Sequence, residues 1–406
     1  MAEYKDREHY LPIRKTDLID LLCRSKSIGT GMLLSAEQQD QFRRFCTILA
    51  AYYHYEYLQE LEALKEAYSP FDPDRETKTF GELSDVERTK HLESLYQEFD
   101  KLLQRGNFRK LSRSELLAAT QEVSPWGINL DVDLSAFDRL EIYVRGESQG
   151  IRHLHRWYKP WVIEEVTVRL FQRLVLILKQ RPHRRLSRRA DTKNVILKIF
   201  KDIPTVDLEM LIPGGRPKMP RFDRGKLGAS LASAVGFSAW KIWSDFGSIA
   251  ESFVHRNPLA LYGPASLVLG YGYKQYAGYR YTKRQYVSRL TESLYYQTLD
   301  SNAGVLDRLL DEAEEQDCRE AFLAYFQLWR NAPPDGWSTE QLDDYVEMEL
   351  ERIAQIKFDF EVGDALAKLE RLRLVTKDGD RYRAVPIDDA MRIIDEIWDN
   401  IFPYNV

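Results

Sequence analysis

Cysteine is scarce in this 406-residue chain: Cys23, Cys46 and Cys318 stand far apart, with no CxxC pair. An odd, scattered count argues against a disulfide framework or a cysteine zinc site and fits a reducing compartment. Histidine is also sparse, at seven residues. No GxSxG, HExxH or GxxxxGK(S/T) motif occurs, which removes the familiar hydrolase, metalloprotease and P-loop signatures. The GYGYKQYAG around Gly270 lacks the strand that precedes a dinucleotide loop, and Gly214-Gly215 after Leu211-Ile212-Pro213 reads as a turn. A net charge of −5 argues against a uniformly basic nucleic-acid binder. The N-terminus, MAEYKDREHYLPIRKTDL, has no apolar core of a cleavable secretory signal. No uninterrupted apolar run reaches the about 20 residues of a plain membrane span.

What is present describes a folded chain of two or three domains, with 44% hydrophobic and 30% charged residues. The first third is helical. Ser35…Gln38, Ser84…Glu87 and Ser112…Glu115 each have the capping-box form, in which a hydroxyl and a side chain three residues on satisfy free N–H groups reciprocally. Phe42, Phe45, Leu49, Tyr53 and Tyr57 recur at helical spacing, so the tyrosines around His54 read as core packing rather than a stacking platform. Gly106 stands where a left-handed helix-ending residue is expected.

From Phe137 the period changes to two. Leu140–Val144, Val166–Phe171 running on to Leu178, and Val195–Phe200 are β-branched, aromatic and alternating, which predicts a small antiparallel sheet. The apolar run through Leu178 fits a buried helix as well. Between the second and third strands lies a basic loop, 179–193, with Arg181, Arg184, Arg185, Arg188, Arg189 and Lys193. Such a loop is either plain solvated surface or an anion site for lipid headgroups or nucleic acid.

Two apolar stretches, rich in glycine, alanine and serine, occupy 227–276. Glycines 263, 270 and 272 and Pro264 weaken a helix in water but are common in membrane helices, and Tyr262, Tyr271, Tyr273 and Tyr276 suit an interface. Arg216, Lys218, Arg221, Arg224 and Lys226 precede the pair; Lys274, Arg280, Lys283, Arg284 and Arg289 follow it. Basic flanks with a nearly neutral tip put both ends on the cytoplasmic face. Spanning, surface attachment and a soluble hairpin all stay open. Near the end, a helix at 364–372, a β-hairpin turning at Lys377-Asp378-Gly379-Asp380 and a helix opened by Pro386 form a winged-helix-like tail. Its mixed charges favour a protein contact over a nucleic-acid groove.

The densest acidic stretch is DEAEEQDCRE, 311–320. On a helical wheel Leu306, Leu310, Ala313, Ala321, Ala324 and Leu328 share one face, with Asp317 in its middle and Glu320 beside it. Glu312, Glu315 and Arg319 point away from that face, so most of the run is predicted to be solvated. Cys318 falls off the apolar face. Buried acids need partners, and with no histidine near in sequence a buried polar network at Asp317 and Glu320 is the preferred reading. No catalytic residue, metal or cofactor is assigned. The alternative is a carboxylate enzyme or metal protein using Asp317 and Glu320 with acids such as Asp202 or Asp207.

The segments EHYLPIRKTDL, YSPFDPD, NFRKLS, FDRLEIYVRGE, IFKDIPTVDLEMLIPG, LTESLYYQTLDSNAGVLDRLLDEAEEQDCREAFLAYF and WDNIFPYN together resemble the family of domain of unknown function 3754 (transmembrane protein 143-like). That resemblance implies two hydrophobic segments near 227–276 and brings no reaction, cofactor or catalytic residue. Nothing resembles a mitochondrial targeting peptide, which points to a bacterial member. The reading is therefore an α+β, mostly helical protein: helical region 1–125, small antiparallel sheet 126–226, apolar hairpin 227–276 with membrane-insertion character, helical region 277–340 and winged-helix-like module 341–406. Its expected role is a non-enzymatic scaffold on an anionic membrane, with a protein partner at the tail; nucleic-acid binding through the basic loop and tail is the weakest option.

Overall fold

The computed structural model describes residues 10–26, 31–76, 84–116, 129–131, 133–155, 163–184, 186, 191–214, 216–218 and 295–402, with isolated positions between 273 and 291. It is a mixed α and β protein in which helices surround one central helix and an antiparallel sheet covers their side. Three helices come first: α1 (Lys15–Arg24), α2 (Ala36–Tyr68) and α3 (Asp85–Arg105). Capping boxes at Ser35 and Ser84 start α2 and α3. The Ser112–Glu115 pair makes the same reciprocal bonds. Gly106 does not take the left-handed turn after α3: its φ is −80°, and Asn107 has the positive value of 56°. Space favours glycine there, because a Cβ would lie 3.1 Å from the Phe108 ring.

The sheet follows. β1 (Arg109–Lys110) pairs with β3 (Phe137–His155), which pairs with β4 (Ile163–Gln180), then β5 (Ile196–Pro204) and β7 (Thr298–Ser301), all antiparallel. β2 (Asn129–Asp131) and β6 (Arg216–Lys218) form a separate pair, with the short α4 (Leu208–Leu211) between β5 and β6. The sheet thus reaches beyond 126–226, recruiting residues 109–110 and 298–301. Leu174, Leu176 and Leu178 face one core, with Ile142, Val144, Phe200 and Leu208; Val175 and Ile177 face the other, with Tyr143, Leu197 and Ile199. A strand buried on both faces is continuously apolar, which is why this run reads equally well as a helix.

β3 and β4 pair as far as His155 and Ile163, whereas β5 stops opposite Leu170. Seven residue steps of two-stranded ribbon therefore project roughly 23 Å past the sheet, at about 3.3 Å per residue. Gly146, at φ 72°, lies two residues before the ribbon leaves β5, opposite Gln172, whose side chain would lie 2.7 Å from any Cβ. The chain leaves β5 at Pro204, and β7 begins opposite Phe200. Gln297 Nε2 donates to the Asp202 carbonyl at 2.9 Å, fastening the returning chain to β5. The stretch 205–297 accordingly starts and finishes at one end of the sheet, the end from which the ribbon projects.

α5 (Ala303–Arg330) is the central helix. It packs against α1, α2 and α3, and against α6 (Thr339–Ala354) and α7 (Val362–Arg371). One hydrophobic core joins residues from Leu11 to Ile394. Before α6 lies β8 (Trp337–Ser338); after α7 come β9 (Val375–Asp378), β10 (Arg381–Ala384) and α8 (Ile387–Asp399). β8, β10 and β9 form a three-stranded antiparallel sheet, in which Gly379 alone of the turn has a positive φ, at 61°. Among the described residues no helix is long and apolar enough to cross a membrane. The expected apolar hairpin at 227–276 lies outside the described residues, apart from Tyr273.

Candidate functional site

The acidic run 311–320 forms part of α5, and the structure corrects its solvated reading. Of its ten residues only Asp311 is exposed. A one-face wheel fails here because α5 is enclosed on every side, so its polar flank meets other parts of the chain. Cations from those parts neutralise the acids. Glu312 pairs with Arg145 of β3 and accepts from Arg173 Nε of β4 at 2.9 Å. Arg145 is 5% exposed and lies between the Tyr10 and Phe108 rings, donating to the Gly106 carbonyl at 2.9 Å. Glu314 meets His54 Nδ1 of α2 at 2.9 Å and Lys15 of α1 at 3.7 Å, so a histidine does stand beside the run, brought from far away in sequence. Glu315 accepts from the Lys15 backbone N–H at 3.3 Å. Arg319, expected in water, is 3% exposed and donates to the Leu11 and Ile13 carbonyls at 2.8 and 2.6 Å. Cys318 is also buried, and burial pushes its thiol up to about 12, which makes it unreactive.

Asp317 and Glu320 lie at 1% and 2% exposure. Asp317 Oδ2 accepts from Tyr57 Oη at 2.6 Å and Arg105 Nη2 at 3.3 Å. Its Oδ1 lies 2.7 Å from Lys368 Nζ, off the hydrogen-bonding direction, so that contact is ionic. Glu320 Oε1 accepts from Gln316 Nε2 at 2.7 Å and Asn107 Nδ2 at 3.3 Å, while Oε2 is 3.9 Å from Lys368. Asn107 owes this position to its left-handed backbone. Lys368 also binds Asp364, one turn away on α7. Arg105 is held from its other side by Glu60 at 2.7 Å.

The electrostatics follow from burial. Burial acts first to raise Glu320, and Asp317 and Asp364 add to it against Lys368 and Gln316, pushing it up to about 8. For Lys368 burial pulls downward, but Asp317, Glu320 and Asp364 together hold it above its ordinary value. Tyr57 is pushed upward by burial and by the Asp317 charge, so it remains a phenol and a donor. Asp317, Glu320 and Asp364 bring carboxylate oxygens within 4.8 Å of one another, a spacing that suits a metal. Their common contact is the Lys368 ammonium, which already supplies a positive charge at that point. Asp202 and Asp207, considered as further ligands, lie at the end of β5 and in the turn after it; Asp364 is the third acid instead.

Of the basic loop, Arg181 and Arg184 are exposed, as is Lys193. Arg181 binds Asp138 at 2.9 Å. Arg185, Arg188 and Arg189 lie outside the described residues.

Residues 139–304 match the model of a family described as "Protein of unknown function (DUF3754)". This part of the chain is similar to that family. The match begins in β3 and ends as α5 starts, so it takes in the sheet and the stretch 205–297 that leaves and rejoins it. No solved structure matches the chain.

Proposed function

We propose that the protein is a non-enzymatic scaffold of the DUF3754 family that sits on the cytoplasmic face of a membrane, with the bundle as its rigid body. The observation that carries this reading is the common end of the sheet from which 205–297 departs and to which it returns. A hairpin made of the two apolar stretches in 227–276 needs both its ends together, and the basic residues flanking them suit an anionic surface. The β3–β4 ribbon projects from the same end, and the connection it carries reads Arg156-Trp157-Tyr158-Lys159-Pro160-Trp161, a composition typical of headgroup contact. The buried acids support the non-enzymatic part, because Asp317 and Glu320 are occupied in holding α2, α3, α5 and α7 together.

The C-terminal module has the order helix, strand, two helices and a hairpin, with β8 beside β10, which supports a winged-helix-like reading that starts in α5. In and beside α7, Glu361, Asp364 and Glu370 mix with Lys368, Arg371 and Arg373, a poor match for a phosphate backbone and a reasonable one for a protein. The test is fractionation of cells expressing the full chain. Sedimentation with membranes, and release by detergent but not by salt, is the expected result. Quantitative recovery as a monodisperse species in a salt-only supernatant would overturn the proposal.

A further inference from the structure

Three cations stand abreast across the sheet, near the end where 205–297 leaves it. Arg145 of β3 lies directly opposite Arg173 of β4, and Arg173 lies directly opposite Lys201 of β5. Opposed residues on neighbouring strands share one face, with Cβ atoms about 5 Å apart, and like charges so placed destabilise a sheet. The face is the one that meets α5, because Arg145 and Arg173 both reach Glu312. α5 adds a fourth cation from its preceding turn. Arg308 Nε lies 3.7 Å from the same Glu312 oxygen that Arg173 holds at 2.9 Å.

One carboxylate does not balance this group. Glu312 gives Oε2 to Arg145 and Oε1 to Arg173, which leaves Arg308 beyond hydrogen-bonding distance. The Nε–H groups of Arg308 and Arg145 are both buried without an acceptor. Lys201 is exposed, and among the described residues no acid pairs with it. The next acid along α5, Asp307, is held by Lys65 at 2.7 Å. Even with Asp202, the residue after Lys201, counted beside Glu312, four cations face two acids. The side chains of Arg173 and Arg308 are 29% and 41% exposed, so an ion from solvent can reach them.

An anion would relieve the repulsion, and its chemistry follows from the donors. Guanidinium forks match the oxygens of phosphate, and an ammonium adds a point charge. A phosphate monoester brings nearly two negative charges and three acceptor oxygens in one small group. We propose that Arg173, Lys201 and Arg308 bind a phosphate monoester where the sheet meets α5, with buried Arg145 adding its charge. Glu312 holds Arg173 in position for it. The phosphate belongs to a lipid headgroup or to a soluble phosphomonoester, and the site stands whether or not 227–276 enters a bilayer.

The test titrates glycerol 3-phosphate, dihexanoyl phosphatidic acid and dihexanoyl phosphatidylcholine into the full-length chain by calorimetry. Phosphatidic acid should bind and phosphatidylcholine, whose phosphate is a choline diester, should not. Equal affinity for glycerol 3-phosphate identifies a soluble ligand, and binding of phosphatidic acid alone identifies a headgroup. Lys201→Gln with Arg308→Gln should weaken binding at least about tenfold. Lys357→Gln with Lys377→Gln, two cations of the C-terminal module, should leave it unchanged. If the first pair lowers the urea midpoint, Lys201→Gln alone, at an exposed position, decides the matter. No binding of either monoester would overturn the proposal. So would equal binding to wild type and to the Lys201 variants, or an equal loss in the control pair.

Discussion

Asp317 of α5 and Lys368 of α7 form an ion pair at 2.7 Å, with the carboxylate 2% and the lysine 12% exposed. Removing one member strands the other's charge out of water, at a cost of about 3–5 kcal/mol. Asp317→Ala should therefore lower the urea midpoint far more than Glu315→Ala, whose half-buried carboxylate accepts one backbone bond. Replacing both members, as Asp317→Leu with Lys368→Met, should recover part of the loss. Equal tolerance of the two single changes would refute this.

Glu320 makes stability depend on pH in an unusual direction. Its folded value near 8 stands above the ordinary 4.5, so the folded state binds the proton more tightly than the unfolded chain. Its contribution is complete below the ordinary value, declines as pH rises toward 8, and is flat beyond. Glu320→Gln keeps an acceptor for Gln316 and Asn107 but takes up no proton. The variant should gain stability relative to wild type between pH 5 and 8. Parallel curves from urea titrations across that range would rule out a proton on Glu320.

Glu312 ties the sheet to the bundle through Arg145 and Arg173. Glu312→Gln should leave the buried Arg145 guanidinium without its counter-charge and cost about 3 kcal/mol or more. Hydrogen exchange should show the loss in β3 and β4 earlier than in α6. A uniform change along the chain would argue against a local tie.

Gly146→Ala combines a left-handed backbone with a 2.7 Å approach to Gln172. About 1–3 kcal/mol of destabilisation should follow, read as a lowered midpoint in thermal unfolding. No measurable change would mean that Gln172 moves aside and the strand accepts a side chain there.

The basic loop joins β4 to β5 at the end of the sheet away from the ribbon, and its proposed lipid contact has its own test: changing Arg184, Arg185, Arg188 and Arg189 together to Gln should weaken binding to anionic vesicles, by about 1 kcal/mol per residue that reaches the surface. The loss should shrink at high salt. Unchanged binding to vesicles with and without anionic lipid would remove the loop from the contact.

The strand at Leu140–Val144 was legible from its β-branched and aromatic residues broken by Glu141, although Tyr143 meets one core and Ile142 and Val144 the other. The run through Leu178 was ambiguous because both its faces are covered. Capping boxes at Ser35 and Ser84 were plain, since each is a local hydrogen-bonding unit. Asp317 and Glu320 stand out because they interrupt an apolar stripe. The burial of Glu314 and Arg319 left no such mark: their partners His54, Lys15 and the Leu11 and Ile13 carbonyls are distant in sequence, and a wheel drawn for one helix cannot include them. Asn107 was hidden behind the glycine before it, which drew the left-handed expectation one residue early.

The central position of α5 also orders the protein's birth. α1, α2 and α3 emerge from the ribosome well before the helix whose acids they hold, and the whole stretch 205–297 emerges in between. Lys368 comes later still. All of 205–297, with its apolar stretches, is therefore made before the bundle can close over its buried charges. A core that joins residues from Leu11 to Ile394 has to wait for nearly the whole chain, so its contacts are those that close slowest.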